Sequence, residues 1–355
     1  MKIAIVILNW NGIKLLKEFL PSVVNYSNDN PIYIIDNKSE DNSIEYIKIN
    51  YPKIKIIINN ENYGYAKGYN KGLKQVKEEI YCLLNNDVEV SKGWLNPVLN
   101  KFKSDKYLAV VQPKILDYKN KNKFEYAGAA GGFIDYYGYP YCRGRIFDVI
   151  EVDNGQYDQD INIFWASGAC FFIRKEVFDK LDGFDEHFYN HMEEIDLCWR
   201  LTNLNNDFKK KFVYKSVVFH LGGGSFNYNN PKKLFYNIRN HRWMMIKNTN
   251  AFVHFNFTRS SQKVFCALNR LKAILLINIF FALYHLLIFK FQHFKEIIKA
   301  MNYSHSYKDG LRIPIEQNYF LLRSNNKKPK YYVIKSIIYN YLILKKRKFY
   351  ELNKG

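Results

Sequence analysis

Ile80-Tyr-Cys-Leu-Leu-Asn-Asn-Asp-Val-Glu-Val90 is the stretch that decides the fold. Its first residues are apolar or β-preferring, and the run stops abruptly at the polar trio Asn85-Asn86-Asp87. A short apolar run is ambiguous alone, because a buried strand and a piece of buried helix look the same at this length. Its neighbours resolve it. Toward the N-terminus the same device recurs: Ile3–Leu8 ends at Asn9-Trp-Asn-Gly12, Ile32–Asp36 at Asp36-Asn-Lys-Ser39, and Ile54–Ile58 at Asn60 to Gly64. Between these runs lie longer amphipathic stretches, Lys14–Asn25, Ser43–Ile49 and Tyr65–Val76. Short β-rich runs alternating with helical ones predict βαβ units and a parallel sheet. The polar clusters then fall just beyond the carboxyl ends of the strands, the edge where open α/β sheets bind nucleotides.

Past residue 100 the pattern loosens. Lys103–Asp160, with Gly128-Ala-Ala-Gly-Gly132 and Tyr136-Tyr-Gly-Tyr-Pro140, reads as loops and short strands. A strand-like run over Phe164–Arg174, a helix around Glu193–Leu204 and a second strand over Phe212–Phe219 follow, the last ending at His220-Leu-Gly-Gly-Gly-Ser225. We expect a catalytic α/β domain over 1–250, with a nucleotide-binding half at 1–100 and an acceptor half at 101–250. A helical, basic extension over 251–355 completes the division.

The charge supports that split. The chain carries 53 Lys/Arg against 33 Asp/Glu, yet 251–355 alone holds 19 against 4. Such asymmetry points to an anionic partner of the last third, a nucleic acid or a phospholipid surface. Ala273–Phe289 is a 17-residue uncharged run broken only by Asn278 and His285 and flanked by Arg270, Lys272 and Lys290. Lys327-Lys-Pro-Lys330 and Lys345-Lys-Arg-Lys348 follow. Seventeen residues is the lower limit for a membrane span, and an interfacial helix with cationic flanks fits better. The five scattered cysteines form no CxxC pair, so neither a disulfide framework nor a zinc site is expected. Lys2–Leu8 is too short for a signal-peptide core and reads as a first buried strand, which places the catalytic part in a reducing cytoplasm.

Several constellations carry chemistry. Asp87 and Glu89 follow a hydrophobic strand, and alternation would aim both carboxylates to one side. Hard oxygen ligands beside a phosphate site suit Mg²⁺ or Mn²⁺, though a solvated strand end has the same composition. Asn190-His-Met-Glu-Glu-Ile-Asp-Leu-Cys-Trp-Arg200 gathers three carboxylates in four residues. On a helix Glu193, Asp196 and Arg200 share a face and Glu194 points elsewhere, free to act as a base. An acidic helix start favoured by the macrodipole is the bland alternative. The glycines of Asn62-Tyr-Gly-Tyr-Ala-Lys-Gly-Tyr-Asn-Lys-Gly72, spaced by four, are no dinucleotide fingerprint and read first as close helix-on-sheet packing.

Together these residues resemble the family 2 glycosyltransferases, in particular the rhamnosyltransferase-like branch. The resemblance rests on Val6–Gly12, Asp36–Ser43, Asn62–Asn70, Leu84–Asp87, Ser167–Ala169 with Arg174, Gly183–Glu186, Glu193–Leu197 with Trp199 and Arg200, and His220 with Ser225. It spans roughly residues 3–245 and implies a GT-A fold. It also implies an inverting, metal-dependent transfer of a sugar from a nucleotide-diphosphate donor, dTDP-rhamnose or a UDP-hexose, onto a glycan or lipid-linked acceptor in cell-surface polysaccharide synthesis. Leu8, Asn9, Asn11, Asp36, Asn62, Gly64, Lys67 and Asn86 would border the donor, with Asp36 at the base and Asn86 near the ribose. Asp87 and His220 would hold Mn²⁺ or Mg²⁺, Glu194 would be the catalytic base, and Trp165, Gly168, Glu193, Asp196 and Arg200 would lie on the acceptor side. The chain departs from the family pattern twice, with one carboxylate in its Asn85-Asn86-Asp87 trio and Glu193-Glu194 where Glu-Asp is common. An enzyme peripheral on the inner membrane face follows. The rivals are an inactive sugar- or lipid-binding scaffold and a basic nucleic-acid binder; the basic surplus being confined to the tail, with no nucleic-acid motif present, argues against the second.

Overall fold

A computed structural model describes residues 1–205, 207–222, 230–248, 261–303 and 334–352, without the side chains of 261–268. Ser225, the Lys327–Lys330 cluster and the junction near residue 250 lie outside the described residues.

The first strands behave as the run lengths require. β1 (Ile3–Asn9), β2 (Ile32–Asp36), β3 (Lys55–Ile58) and β4 (Ile80–Asn85) pair in parallel, with β1 between β2 and β4. Alternate residues of each strand enter opposite layers. Ala4 and Val6 face one core with Tyr81 and Leu83, while Ile3, Ile5 and Ile7 face another with Ile80, Cys82 and Leu84. Both faces are covered, which is why these strands read as continuous apolar runs. Helices α1 (Ile13–Tyr26), α2 (Ser43–Asn50) and α4 (Leu95–Ser104) cover the second face through Leu16, Leu20, Ile47, Val98 and Phe102. α3 (Gly64–Leu73) lies on the first face. A Cβ on Gly72 would come within 2.3 Å of Ile35, so the glycine spacing serves the close packing it suggested.

β5 (Val88–Val90) follows a two-residue turn, and β6 (Leu108–Asp117) is a full strand inside the region read as loops. The remaining loop-like stretch builds a small four-stranded antiparallel sheet of β7 (Gly132–Ile134), β8 (Pro140–Cys142), β9 (Arg145–Ile146) and β10 (Val149–Ile150). After β11 (Ile161–Asn162), only Cys170–Arg174 of the expected Phe164–Arg174 run forms a strand, β12. Residues before it leave the ladder, because Ser167 N donates to the Gln112 side chain at 2.9 Å and Trp165 bridges to Gly132. β12 runs antiparallel between β4 and β6. Next come α5 (Lys175–Lys180), α6 (Glu193–Leu204) and β13 (Lys209–His220), which closes the sheet in the order β11-β13-β6-β12-β4-β1-β2-β3, with β5 paired to β13.

The last third is helical in its described parts: α7 (Pro231–Asn248), α8 (Ser261–Leu287), α9 (Phe291–Asn302), α10 (Ile337–Leu342) and α11 (Phe349–Leu352). The tail returns to the catalytic core, where Ile334, Ile337 and Leu352 are buried with Phe133, Tyr141 and Tyr157. The segment 334–352 thus packs as part of the first unit, unlike the simple division at residue 250.

Candidate active site

The carboxyl ends of β1, β2 and β4 meet where the strand order reverses, and their terminal residues interlock. Asp36 is buried; its Oδ1 accepts from Ser39 N at 2.7 Å, and its Oδ2 accepts from Ser39 Oγ at 2.6 Å and Asn9 Nδ2 at 3.1 Å. Asn86 Nδ2 donates to Asn9 Oδ1 at 3.1 Å, which draws the β4 turn onto the β1 end. Asn11, at φ 49°, donates its N–H to Ser39 Oγ at 2.8 Å, and its Oδ1 accepts from Glu40 N at 2.7 Å. Gly12 has to lack a side chain, since a Cβ there would stand 2.3 Å from Asn9 Oδ1 and 2.5 Å from Asn86 Nδ2. Beside them Asn37 donates to Asn62 Oδ1 and Gly64 O at 3.3 and 3.0 Å. Leu8 borders Gly68, and Lys67 lies half-buried with Nζ 4.4 Å from the Tyr63 ring centroid. Every residue expected on the donor side therefore sits at or next to this edge.

Asp87 occupies the turn between β4 and β5, and the β5–β13 ladder sets His220 opposite Val88. His220 Nε2 comes 3.1 Å from Asp87 Oδ1, and its Nδ1 comes 3.3 Å from Glu125 Oε2. Burial alone would lower the His220 pKa, but the two carboxylates outweigh it and hold the ring well above its ordinary value. Asp87 is likewise lowered, its burial outweighed by His220. Asp87 Oδ1 and His220 Nδ1 are buried and meet only these charged neighbours among the described residues. Asp87 Oδ1 and His220 Nε2 face each other, and a carboxylate oxygen and an imidazole nitrogen are donor types that suit a divalent cation completed by phosphate oxygens, once the ring gives up its proton. Among the described residues no group of three His, Cys, Asp or Glu is placed to hold a metal ion. Glu89 is not a third: its carboxylate pairs with Lys121 on the surface, because β5 turns it away from Asp87.

α6 delivers its carboxylates beside this turn. Asn85 N donates to Ala169 O at 3.0 Å, and the adjacent Gly168 abuts the Glu194 carboxyl; a Cβ there would lie 3.8 Å from Glu194 Cδ. Tyr65 Oη donates to Gly168 O at 2.9 Å and ties α3 to the same point. Burial raises the Glu194 pKa to about 7, partly opposed by the backbone amides of Glu194, Gly168 and Ile195. Glu193 is more deeply buried and is raised well above the carboxylate range, by burial and then by Glu194.

Three acceptor-side expectations need correction. Trp165 is 4% exposed and spends its indole N–H on Phe133 O at 2.8 Å, so it fills the core instead of lining a lip. Asp196 is fully buried and held by Arg200 at 2.7 Å, Lys247 at 2.9 Å and Asn248 at 2.8 Å. Arg200 is spent on Asp196 and on the carbonyls of Leu181 and Gly183. Both therefore fasten α6 to α7 and to the preceding loop. Glu193, expected to share their ion pair, has none among the described residues, since Arg200 reaches past it. Tyr189, just before this helix, is 40% exposed and stacks on Tyr236 at 5.8 Å.

Sequence reading missed Glu125, Ser39 and Asn240. Ser39 stood inside a quoted polar cluster. Glu125 was detectable only as a lone acid in a Lys-rich stretch, and Asn240 carried no signal.

An open α/β sheet with its polar cluster at the reversal of strand order defines a nucleotide-binding protein, and the antiparallel β12 with the β13–β5 return makes the architecture GT-A. The chain belongs to glycosyl transferase family 2, whose model matches residues 4–182. It is 24% identical over 177 residues to the low-salt glycan biosynthesis hexosyltransferase Agl10 of Haloferax volcanii, covering 48% of this chain and 53% of that one. It is 22% identical over 204 residues to the N-acetylglucosaminyl-diphospho-decaprenol L-rhamnosyltransferase of Mycobacterium tuberculosis, covering 52% and 66%. The chain thus spans about half to two thirds of the length of these relatives. The fold is shared with GalNAc-T7, solved with UDP, GalNAc and Mn²⁺, at a TM-score of 0.53, 17% identity and coverage of 76% and 54%. It is also shared with S. aureus TarS residues 1–349, at 0.50, 12%, 87% and 92%.

Proposed function

We propose that the protein is an inverting glycosyltransferase that uses a nucleotide-diphosphate sugar to glycosylate a glycan or lipid-linked acceptor at the inner membrane face. The observation that carries this reading is the joining of two halves at one point: Asn85 is hydrogen-bonded to Ala169, which brings the Asp87 turn beside the Glu194 carboxyl. The Asp36–Ser39–Asn9–Asn86 network holds the nucleoside at the strand ends. Asp87 and His220 would hold Mn²⁺ or Mg²⁺, which when bound offsets charge on the leaving diphosphate. Glu194 accepts the proton of the acceptor hydroxyl as its oxygen attacks the anomeric carbon. The bond from that carbon to the diphosphate breaks on the opposite face, so one base suffices and configuration inverts.

The test is calorimetry with dTDP-rhamnose and UDP-hexoses, with and without Mn²⁺, on the wild type and Asp87→Ala. The variant should lose the cation-dependent part of donor affinity and at least about 100-fold in transfer, as expected when a charge-stabilising group is removed. Unchanged affinity and rate would place the cation elsewhere.

A further inference from the structure

Helix α8 turns the two polar residues that interrupt its apolar run, Asn278 and His285, inward. Among its described side chains, Ile274, Asn278, Ala282 and His285 are buried, a single helical stripe. Ala282 packs with Phe235 and Ile238 of α7 and with Ile297 and Ala300 of α9. Ile274 joins the catalytic core, the Arg270 guanidinium lies 3.5 Å from the Tyr136 ring centroid, and His285 stacks on His293 at 5.2 Å. The opposite stripe of Leu276, Phe280, Leu283 and Leu287 is 56%, 70%, 46% and 76% exposed, and Phe289 beyond it is 79% exposed. Both residues that interrupt the apolar run, Asn278 and His285, thus lie on the packed side. From Ala273 onward the outward side is hydrocarbon apart from the exposed Tyr284, with Lys272 exposed at its N-terminal end, the reverse of a water-facing helix.

We propose that this outward stripe is a lipid-contact surface, with α8 lying in the plane of an anionic bilayer leaflet. The proposal rests on the membrane-face reading above and states how that face is met. Asn269–Leu287 is long and apolar enough to cross a membrane. Spanning would, however, carry the packed helices α7 and α9 into hydrocarbon with it, including Arg242, Lys295, Glu296 and Lys299. Charges at the bilayer centre are strongly disfavoured. Lying flat, the helix sinks its apolar stripe to the acyl boundary and leaves α7 and α9 in water. Charge selects the occupant. Residues 269–303 hold five Lys/Arg against one Glu. A second copy would press cations against cations, whereas an anionic surface attracts them.

The test uses the full chain and phosphatidylcholine vesicles with and without phosphatidylglycerol. The double variant Phe280→Asp/Leu287→Asp should cosediment with anionic vesicles at least about 10-fold less than the wild type, at unchanged melting temperature and unchanged turnover of a soluble acceptor. With Cys266→Ser, nitroxides on Leu276→Cys and Leu287→Cys should report equal depths; a spanning helix would separate them by about 16 Å. If the wild type binds vesicles and the double variant binds equally well, the membrane reading stands and this face is not the contact. Unequal nitroxide depths overturn the in-plane orientation. Absence of wild-type binding, or a concentration-dependent dimer abolished by the double variant, overturns the lipid surface itself. Transfer activity is scored separately throughout, so its loss bears only on the catalytic reading.

Discussion

At Glu193 and Glu194 two neighbouring carboxyls share a buried site with no ion pair among the described residues. A base that works near neutral pH has to be free of cations yet raised by its surroundings, and Glu194, held up to about 7, meets both conditions. Transfer measured as kcat/KM should therefore rise with pH through about 7 as Glu194 loses its proton. Glu194→Gln should bind donor normally while turnover falls about 10²- to 10⁴-fold. If Glu193→Gln is the slower variant at equal donor affinity, the roles are exchanged. Stability moves the other way. A carboxyl whose folded pKa is raised contributes stability below its unfolded value near 4.5 and loses it as pH rises through the folded value. Glu193→Gln, which removes an uncompensated buried charge, should raise the melting temperature at pH 8 and do so less at pH 5. The shared helix face with Asp196 and Arg200 does not give Glu193 a partner, which sets the sign of this effect.

The segment that delivers α6 is held from outside itself. Tyr189, His191 and Met192 take positive φ of 60°, 71° and 72°, which non-glycine residues adopt only under constraint. The constraint comes from α7. Asn240, wholly buried, donates to Phe188 O, Asn190 O and His191 O at 3.1, 2.9 and 2.7 Å, and Arg239 donates to Phe188 O at 3.1 Å. Tyr189 O in turn accepts from Tyr65 N, and Gly64, at φ 72°, leaves no room for a Cβ against Tyr189. Asn240→Ala removes these donors and should cost on the order of 2–3 kcal/mol. Turnover should also fall about 10- to 100-fold with donor affinity intact, because the base segment loses its register while the donor edge does not. A variant that melts earlier but turns over normally would make the clamp purely structural.

At the scale of the molecule, the tail is a clasp as well as an extension. Ile337 N donates to Asp135 Oδ2 at 2.9 Å, and Phe349 packs against Phe133 and Tyr141 at 5.0 and 6.2 Å. Deleting residues from 334 onward uncovers the small sheet and should lower the melting temperature by at least about 5 °C; an unchanged value would show that the docked segment adds no stability. Truncation after residue 250 removes this clasp together with α8, so loss of membrane binding in such a variant would not isolate the lipid contact. Substitutions on the outer face of α8 do.

The four parallel strands, their covering helices, the polar strand-end cluster and the Asn86-Asp87 turn were legible because run length, periodicity and strand-end polarity are local, and each strand carries its own copy of the signal. Asn11 joined that cluster for the same reason. What only the tertiary structure decided depends on partners distant in the chain. Trp165, Asp196 and Arg200 carry residue types that suit an acceptor site, yet Phe133, Lys247 and Asn248 occupy their polar atoms. Glu125 reaches His220 across 95 residues, and Asn240 reaches Asn190 from another helix. Asn278 and His285 look from the sequence like flaws in an apolar run; packing puts both on the inner side. Alternation and helical period tell which residues share a face, but which face meets protein, lipid or substrate is fixed only when the other elements claim their surfaces.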